Sequence, residues 1–396
     1  MTETIPGAAA HLARPPRYPG EQPGALTLDS WQEAPHNRWA FSHVEQLVPT
    51  MPISRQRPEE EAPSMGLDHL SGVPAVLERL TDSCTDALVV VHRGRVVAEH
   101  FAPGRRRSDR HLLMSVSKSL CGLVVGTLVD DGLLRTDQRV DSIVPDLVGS
   151  AYGSATVQQV LDMTADVDYA EDYDDQDSEV RVQDRVAGWL SARPGDPLDT
   201  YAFLSGLAGT QEHGSRWRYL SAGTDVLAWI VETVTGQRYA DAVADRLWSG
   251  LGADRDALVT VDRGGFAFAN GGISCTVRDL ARVGELVLGG GVIHGERIVS
   301  AAWIDRTVTG GDADAAAGSA YQQVHPAGRY SQQWWVTGNE RGNVYASGIH
   351  GQYVWIDPPT ETVIAKVSSL PVPITIAWNR AHAELFTDIC AALERR

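Results

Sequence analysis

Leu112-Leu113-Met114-Ser115-Val116-Ser117-Lys118-Ser119-Leu120 is the stretch whose reading decides this fold. A serine and a lysine three residues apart share one face of a helix, so the lysine amine reaches the serine hydroxyl and takes its proton. A nucleophile with its own base results. A second reading, a polar helix start with both side chains capping or facing solvent, fits the same spacing, because a chain of this length holds about one such pair by chance. Upstream, Ala87-Leu88-Val89-Val90-Val91 and Arg95-Val96-Val97-Ala98-Glu99-His100-Phe101 flank His92-Arg93-Gly94 and predict a hairpin. Downstream, Leu120, Val124 and Leu128 recur every four residues, with Gly132 at the expected end of the helix. Ser115 then stands where a strand enters a helix, at an N-terminus whose dipole favours developing negative charge.

The chain has 396 residues, 43% hydrophobic and 21% charged, which predicts a soluble globular protein of two intertwined lobes. Its 34 basic and 51 acidic residues give a net charge of −17. Nucleic acid and anionic membrane are therefore excluded as main partners, and a neutral or cationic small molecule fits better. Met1-Thr2-Glu3-Thr4-Ile5-Pro6 has neither a basic nor an apolar signal region, and no run approaches the roughly 20 apolar residues of a membrane span. A cytoplasmic protein is expected. Cys84, Cys121, Cys275 and Cys390 lie far apart, and the histidines form no H-E-x-x-H. Reduced, buried or semi-buried cysteines are expected, with no metal and no cofactor.

Ten of the 20 prolines fall before residue 64. Regular structure cannot run through such a stretch, yet Trp31, Trp39 and Phe41 predict that residues 1–64 form an extended arm packed on the body. Residues 65–134 and 266–396 read as one α/β domain, with strands at Gln333–Val336, Asn343–Ala346, Gln352–Ile356 and Thr362–Val367. Residues 135–265 read as a mainly α-helical insertion, with helices over Ala222–Val234 and Tyr239–Leu247. The expected fold class is α/β (α+β): an antiparallel sheet flanked by helices and split by that insertion.

Acyl transfer also needs a proton donor for the leaving group and two donors for the oxyanion. Tyr219, just before the Ala222 helix, can carry a proton; it can equally anchor its loop, with Ser221 as a plain N-cap. At Gly348-Ile349-His350-Gly351 the glycines let backbone approach a ligand, and His350 reads as structural because Lys118 already fills the base position. Asp166, Asp168, Glu171, Asp172, Asp174, Asp175, Asp177 and Glu179, with Asp184 beyond, make an acidic run. Such a run is a solvated loop or, given the interleaved Tyr169, Tyr173 and Trp189, a rim that receives a cation.

Ser115-Val116-Ser117-Lys118, Tyr219-Leu220-Ser221 and the Gly348 segment together resemble the serine β-lactamase and DD-peptidase superfamily. Further stretches extend the likeness to the nylon-oligomer (6-aminohexanoate-dimer) hydrolase family, whose members also cleave carboxylic esters. They include Leu28–Glu33, His111–Gly122, Thr224–Glu232, Phe268–Gly272 and Thr337–Val344. That resemblance implies a serine β-lactamase-like fold, with Ser115 as acylated nucleophile, Lys118 as general base and Tyr219 as proton carrier. It implies an oxyanion hole from the backbone N–H groups of Ser115 and Ile349. Tyr173, Asp184 and Asn270 match the positions that adapt an esterase site to an amino-terminated amide, with Asp184 facing the substrate ammonium. Trp189 and Trp335 match the pocket walls. Ala346-Ser347-Gly348 replaces the Lys-Thr-Gly that receives a penicillin carboxylate, so β-lactam hydrolysis is not expected. Ser221 stands where many relatives carry asparagine, and Gly223 departs from the asparagine expected in the nylon-oligomer branch.

The expected function is hydrolysis of linear 6-aminohexanoate amides and short-chain esters through an acyl-enzyme on Ser115, by a homodimer that needs no cofactor. A carboxylesterase with little amidase activity and a non-catalytic ligand-binding homologue are the rival readings.

Overall fold

Along Thr85–His92 both faces of the chain are apolar: Val89 and Val91 point one way, Leu88 and Val90 the other, and all four are buried. A strand of that composition belongs in the middle of a layered structure. The computed structural model, which describes residues 24, 26–55, 65–210 and 212–395, places it there.

In chain order the elements begin with α1 (Asn37–Ala40), β1 (Thr50–Ile53), α2 (Val76–Asp82), β2 (Thr85–His92), β3 (Arg95–Phe101) and β4 (His111–Leu112). Then come α3 (Val116–Asp130), α4 (Val157–Leu161), α5 (Glu179–Val186), α6 (Thr200–Ser205), α7 (Ser221–Thr235) and α8 (Tyr239–Val243). The chain continues through β5 (Ala257–Thr260), β6 (Ile273–Cys275), α9 (Val277–Leu288), β7 (Val292–Ile293), β8 (Glu296–Arg297) and α10 (Ala301–Thr309). It closes with β9 (Arg329–Ser331), β10 (Trp334–Val336), β11 (Val344–Gly348), β12 (Gln352–Asp357), β13 (Thr362–Ser368) and α11 (Ile376–Glu394).

The main sheet has seven strands in the order β3-β2-β13-β12-β11-β10-β9, antiparallel throughout. Helix α11 covers one face: its Leu385, Phe386 and Ile389 pack with Leu88, Val90, Ile364 and Trp355. Helix α9 covers the other, and so closely that a Cβ on Gly284 would lie 2.4 Å from Val363 Cγ1. Glycine lets the helix backbone lie directly on the strands. On the α9 side, α3 packs against α7 and reaches β10, β11 and β12, which brings the Ser115 end of α3 to the end of β11.

A second sheet of four strands, in the order β1-β5-β6-β4, goes beyond the sequence expectation. Short buried runs such as Ala257–Thr260 carry no period that separates strand from helix, and Pro52 makes β1 an edge strand that reads as irregular. This sheet ties the arm (β1), the end of the 135–265 segment (β5) and the approach to Ser115 (β4) together. We propose a division into an arm (residues 1–64), a split body (65–134 and 266–396) and an α-rich insertion (135–265) carrying α4 to α8, with β5 shared with the body. Within the arm Trp31, Trp39 and Phe41 are buried; residues 1–23, 25 and 56–64 lie outside the described residues.

Candidate active site

Two long-range bonds hold the chain just before Ser115: the Leu112 N–H donates to the Phe41 carbonyl at 2.7 Å and the Leu113 N–H to the Ile273 carbonyl at 2.8 Å. Met114 then adopts φ 49°, a left-handed conformation that costs a bulky residue strain and turns the chain sharply into α3. Ser115 occupies the N-cap position of α3, but its side chain makes no cap bond. Its Oγ lies 2.8 Å from Lys118 Nζ instead. The plain-cap reading of the pair therefore does not hold.

Lys118 is 1% exposed. Its amine also donates to the Asn270 carbonyl at 2.7 Å and lies 5.2 Å from the centre of the Tyr219 ring. Burial pushes this amine down to about 8, while the carboxylates of Glu171, Asp225 and Asp184 act against that shift. A lysine so placed sheds its proton near neutrality while remaining close to carboxylates that stabilise the ammonium form.

The end of β11 meets this corner. A Cβ on Gly348 would lie 2.6 Å from the Leu113 carbonyl oxygen and 3.0 Å from the Ser115 nitrogen, so only glycine admits the contact. Beyond it His350 sits at φ 62° and is buried; its N–H donates to the Pro373 carbonyl and its Nδ1 bonds the Leu370 carbonyl, both at 2.7 Å. Burial pushes the imidazole down to about 4, so it is a neutral anchor for the turn that carries Ile349. Among the described residues, neither the Ser115 nor the Ile349 backbone N–H donates to a protein acceptor.

Tyr219 stacks on Trp335, with ring centres 5.5 Å apart and planes 8° from parallel. Burial and the Glu171 charge push its hydroxyl well above the usual phenol range, against an opposing interaction with the Ser115 side chain. It remains a phenol and therefore a proton donor. Trp189 is buried edge-on between Trp31 and Phe268, its Nε1 donating to Thr260 Oγ1 at 3.0 Å. The arm reaches it directly, since Trp31 Nε1 donates to the Trp189 carbonyl at 2.7 Å.

The expected specificity residues all have protein partners in this structure. The Tyr173 hydroxyl donates to Glu171 Oε2 at 3.0 Å. Asp184 is buried with Arg181 at 3.2 Å; burial pushes its carboxyl up to about 7 although Arg181 pulls it down. Asn270 gives its side-chain amide to Asp225 Oδ2 at 2.7 Å and its backbone N–H to Asp225 Oδ1 at 3.0 Å. The acidic run divides. Asp172 and Asp175 accept turn N–H groups at the surface, whereas Glu171 and Asp184 turn inward. Glu171 Oε1 accepts the Ser221 N–H at 2.8 Å, so Ser221 begins α7 without serving as its side-chain cap.

Asp225 and Gln183 escaped the sequence reading, and Glu171 was read only as one member of the acidic run. Asp225 had a signal, a carboxylate directly before the apolar run Val226-Leu227-Ala228-Trp229-Ile230, whereas nothing local separates Glu171 from its acidic neighbours.

The family model named Beta-lactamase matches residues 77–386. The chain is 52% identical over 382 residues to the 6-aminohexanoate-dimer hydrolase of Paenarthrobacter ureafaciens, covering 96% of this chain and 97% of that one. A solved Bacillus anthracis protein with the provisional name 6-aminohexanoate-dimer hydrolase superposes with a TM-score of 0.84 at 26% identity, over 94% of this chain and 98% of its own. A family VIII carboxylesterase superposes with a TM-score of 0.62 at 16% identity, over 85% and 100% of the two chains, and speaks to the fold alone. A seven-stranded antiparallel sheet between helices, a serine paired with a buried lysine and a family match across most of the residues agree: the chain belongs to the Beta-lactamase family.

Proposed function

We propose that this hydrolase cleaves the amide bond of linear 6-aminohexanoate oligomers, the dimer first, and short-chain carboxylic esters, through an acyl-enzyme on Ser115. The observation that carries the reading is the Ser115 Oγ to Lys118 Nζ contact of 2.8 Å, with the amine 1% exposed and its proton affinity lowered. Neutral Lys118 takes the Ser115 proton as Oγ attacks the carbonyl carbon. The Ser115 and Ile349 N–H groups, which have no protein acceptor among the described residues, receive the developing oxyanion. Tyr219 passes a proton to the leaving amine, Lys118 replenishes it, and water then frees the acyl group by the same steps in reverse order.

Substrate choice follows from the walls. Trp189 and Trp335 give an apolar lining for a methylene chain, Asp184 receives the substrate ammonium, Tyr173 meets the scissile amide nitrogen, and Asn270 borders the base. Support for the amide comes from the relative named a dimer hydrolase and from the inward carboxylate. The Arg181–Asp184 pair favours the second reading, a carboxylesterase with little amidase activity, because a resident cation already partners that carboxylate. We place the protein in the cytoplasm as a homodimer. Its four unpaired cysteines, three of them buried, agree with a reducing compartment, and no described helix is long and apolar enough to cross a membrane.

Early-quenched mass spectrometry with the linear dimer and, separately, p-nitrophenyl acetate tests this. Monomer release together with acetylated Ser115 is the expected result. Acetylation without dimer cleavage selects the esterase, and no adduct selects a binding protein.

A further inference from the structure

Asp225 is fully buried on α7, and no step of acyl transfer uses it. Its oxygens accept three N–H groups: the Asn270 backbone N–H at 3.0 Å, Asn270 Nδ2 at 2.7 Å and Gln183 Nε2 at 2.6 Å. Burial pushes the Asp225 carboxyl up to about 7, while the Asn270 and Gln183 bonds and the Lys118 charge pull it down; a carboxylic acid would add an O–H that faces only donors, so the group is ionised where Lys118 exchanges its proton, near 8. Gln183 is itself fixed by the Tyr169 hydroxyl at 2.5 Å. Asn270, clamped at both its N–H groups, turns its carbonyl onto Lys118 Nζ at 2.7 Å. The titratable groups that interact with Asp225 are Lys118 and Cys121 on α3, Tyr152, and Tyr239 on α8; Glu171, Asp184 and Tyr219 also act on Lys118.

We propose that Asp225 is the positioning residue of the base: it locks Asn270 so that the Asn270 carbonyl takes one Lys118 N–H and leaves the amine's lone pair aimed at the Ser115 hydroxyl. A neutral amine has two N–H bonds and one lone pair, and pinning one N–H removes the rotation that would turn the lone pair away. The buried negative charge also favours the ammonium that forms when the serine proton arrives. The inference rests on Ser115 and Lys118 being nucleophile and base.

The test compares the full-length protein with its S115A, D225N, N270A and D225N/N270D variants. It reads p-nitrophenyl acetate turnover, the rate of fluorophosphonate labelling across pH, and thermal melting. A short ester lacks the ammonium, so losses there do not report on substrate recognition by Asp184. D225N is expected to keep KM within about 2-fold and to lose about 10- to 100-fold in kcat. Its acid limb is expected at lower pH, because a negative charge beside Lys118 is gone. The D225N/N270D swap restores an amide–carboxylate pair and is expected to recover part of the loss. A folded D225N with wild-type kcat and pH profile overturns the proposal. Should D225N fail to fold, N270A carries the test, since it removes the side-chain clamp and keeps the carbonyl; wild-type kcat in N270A overturns the proposal. Retained labelling in S115A overturns the underlying nucleophile assignment instead.

Discussion

Two lysines in this protein are fully buried beside a serine. Lys118 lies 2.8 Å from Ser115, while Lys366 on β13 touches Ser368 and lies 3.0 Å from His382 Nε2. Desolvation lowers both amines, Lys118 to about 8 and Lys366 to about 7. Desolvation alone therefore does not single out Lys118 as the base. The difference is access and surroundings. Ser115 stands half-exposed at a strained turn against the Gly348 corner, whereas Ser368 is sealed beneath α11 and bonded by Gln352. Around Lys118 stand Glu171, Asp225 and Asp184, which stabilise the proton once it is taken. Lys366 faces His382, whose Nδ1–H donates to the Trp378 carbonyl at 2.7 Å and leaves Nε2 as acceptor for the amine, while Asp86 and Cys84 act to raise that amine. A buried Ser–Lys pair thus becomes catalytic machinery only where a carbonyl carbon and an oxyanion have room beside it.

The sharpest break in that comparison is at the two serines. Ser115→Ala should lose about 10⁴- to 10⁶-fold in ester turnover, while Ser368→Ala should stay within about 3-fold, both read by p-nitrophenyl acetate hydrolysis. Comparable losses in the two would erase the distinction. The lysines come next: Lys118→Met should cost about 10²- to 10⁴-fold in kcat, and Lys366→Met should leave kcat intact. In the wild type kcat should rise with pH through about 8, because the base must be neutral.

A smaller effect separates the surroundings. Glu171→Gln removes one carboxylate that holds the proton on Lys118, so the acid limb of the pH–rate profile should move to lower pH, with a kcat change of about 3- to 10-fold. An unmoved limb would show that Glu171 acts through the α7 N-terminus alone. The smallest effect is thermodynamic. Lys366 gives up its proton near 7 when folded but near 10.5 when unfolded, so between those values the unfolded chain binds more protons and stability rises with pH. Lys366→Met removes that contribution. In denaturant titrations its stability relative to wild type should therefore fall by about 1 kcal/mol per pH unit between pH 7 and 10. A constant offset would place Lys366 among ordinarily hydrated lysines.

Near-neighbour patterns made much of the molecule legible. The hairpin over residues 87–101 and the strands near 334, 344, 352 and 362 followed from alternation and turn residues, and they appear as β2–β3 and β10 to β13. The helix expected over 222–234 runs from Ser221 to Thr235 and ends at Gly236 in a left-handed cap, φ 68°. Ser115 and Lys118 were legible because a helix places residues three apart on one face. Tyr219 and the Gly348–Gly351 turn each allowed a catalytic and a structural reading from their own neighbourhoods, and only the family resemblance singled out Tyr219 as proton carrier and Ile349 as oxyanion donor.

The chain by itself determined the β2–β3 hairpin, the strands β10 to β13, its acidic charge and the Ser-x-x-Lys pair, because each depends on composition or on residues close along the backbone. The tertiary structure decided which serine beside a buried lysine can be reached and which carboxylates of the acidic run turn inward. It also decided that Asn270, 152 residues beyond Lys118, gives its carbonyl to the amine. Desolvation and long-range hydrogen bonds depend on what covers a group, and what covers it is set by segments that meet only when the whole chain has folded.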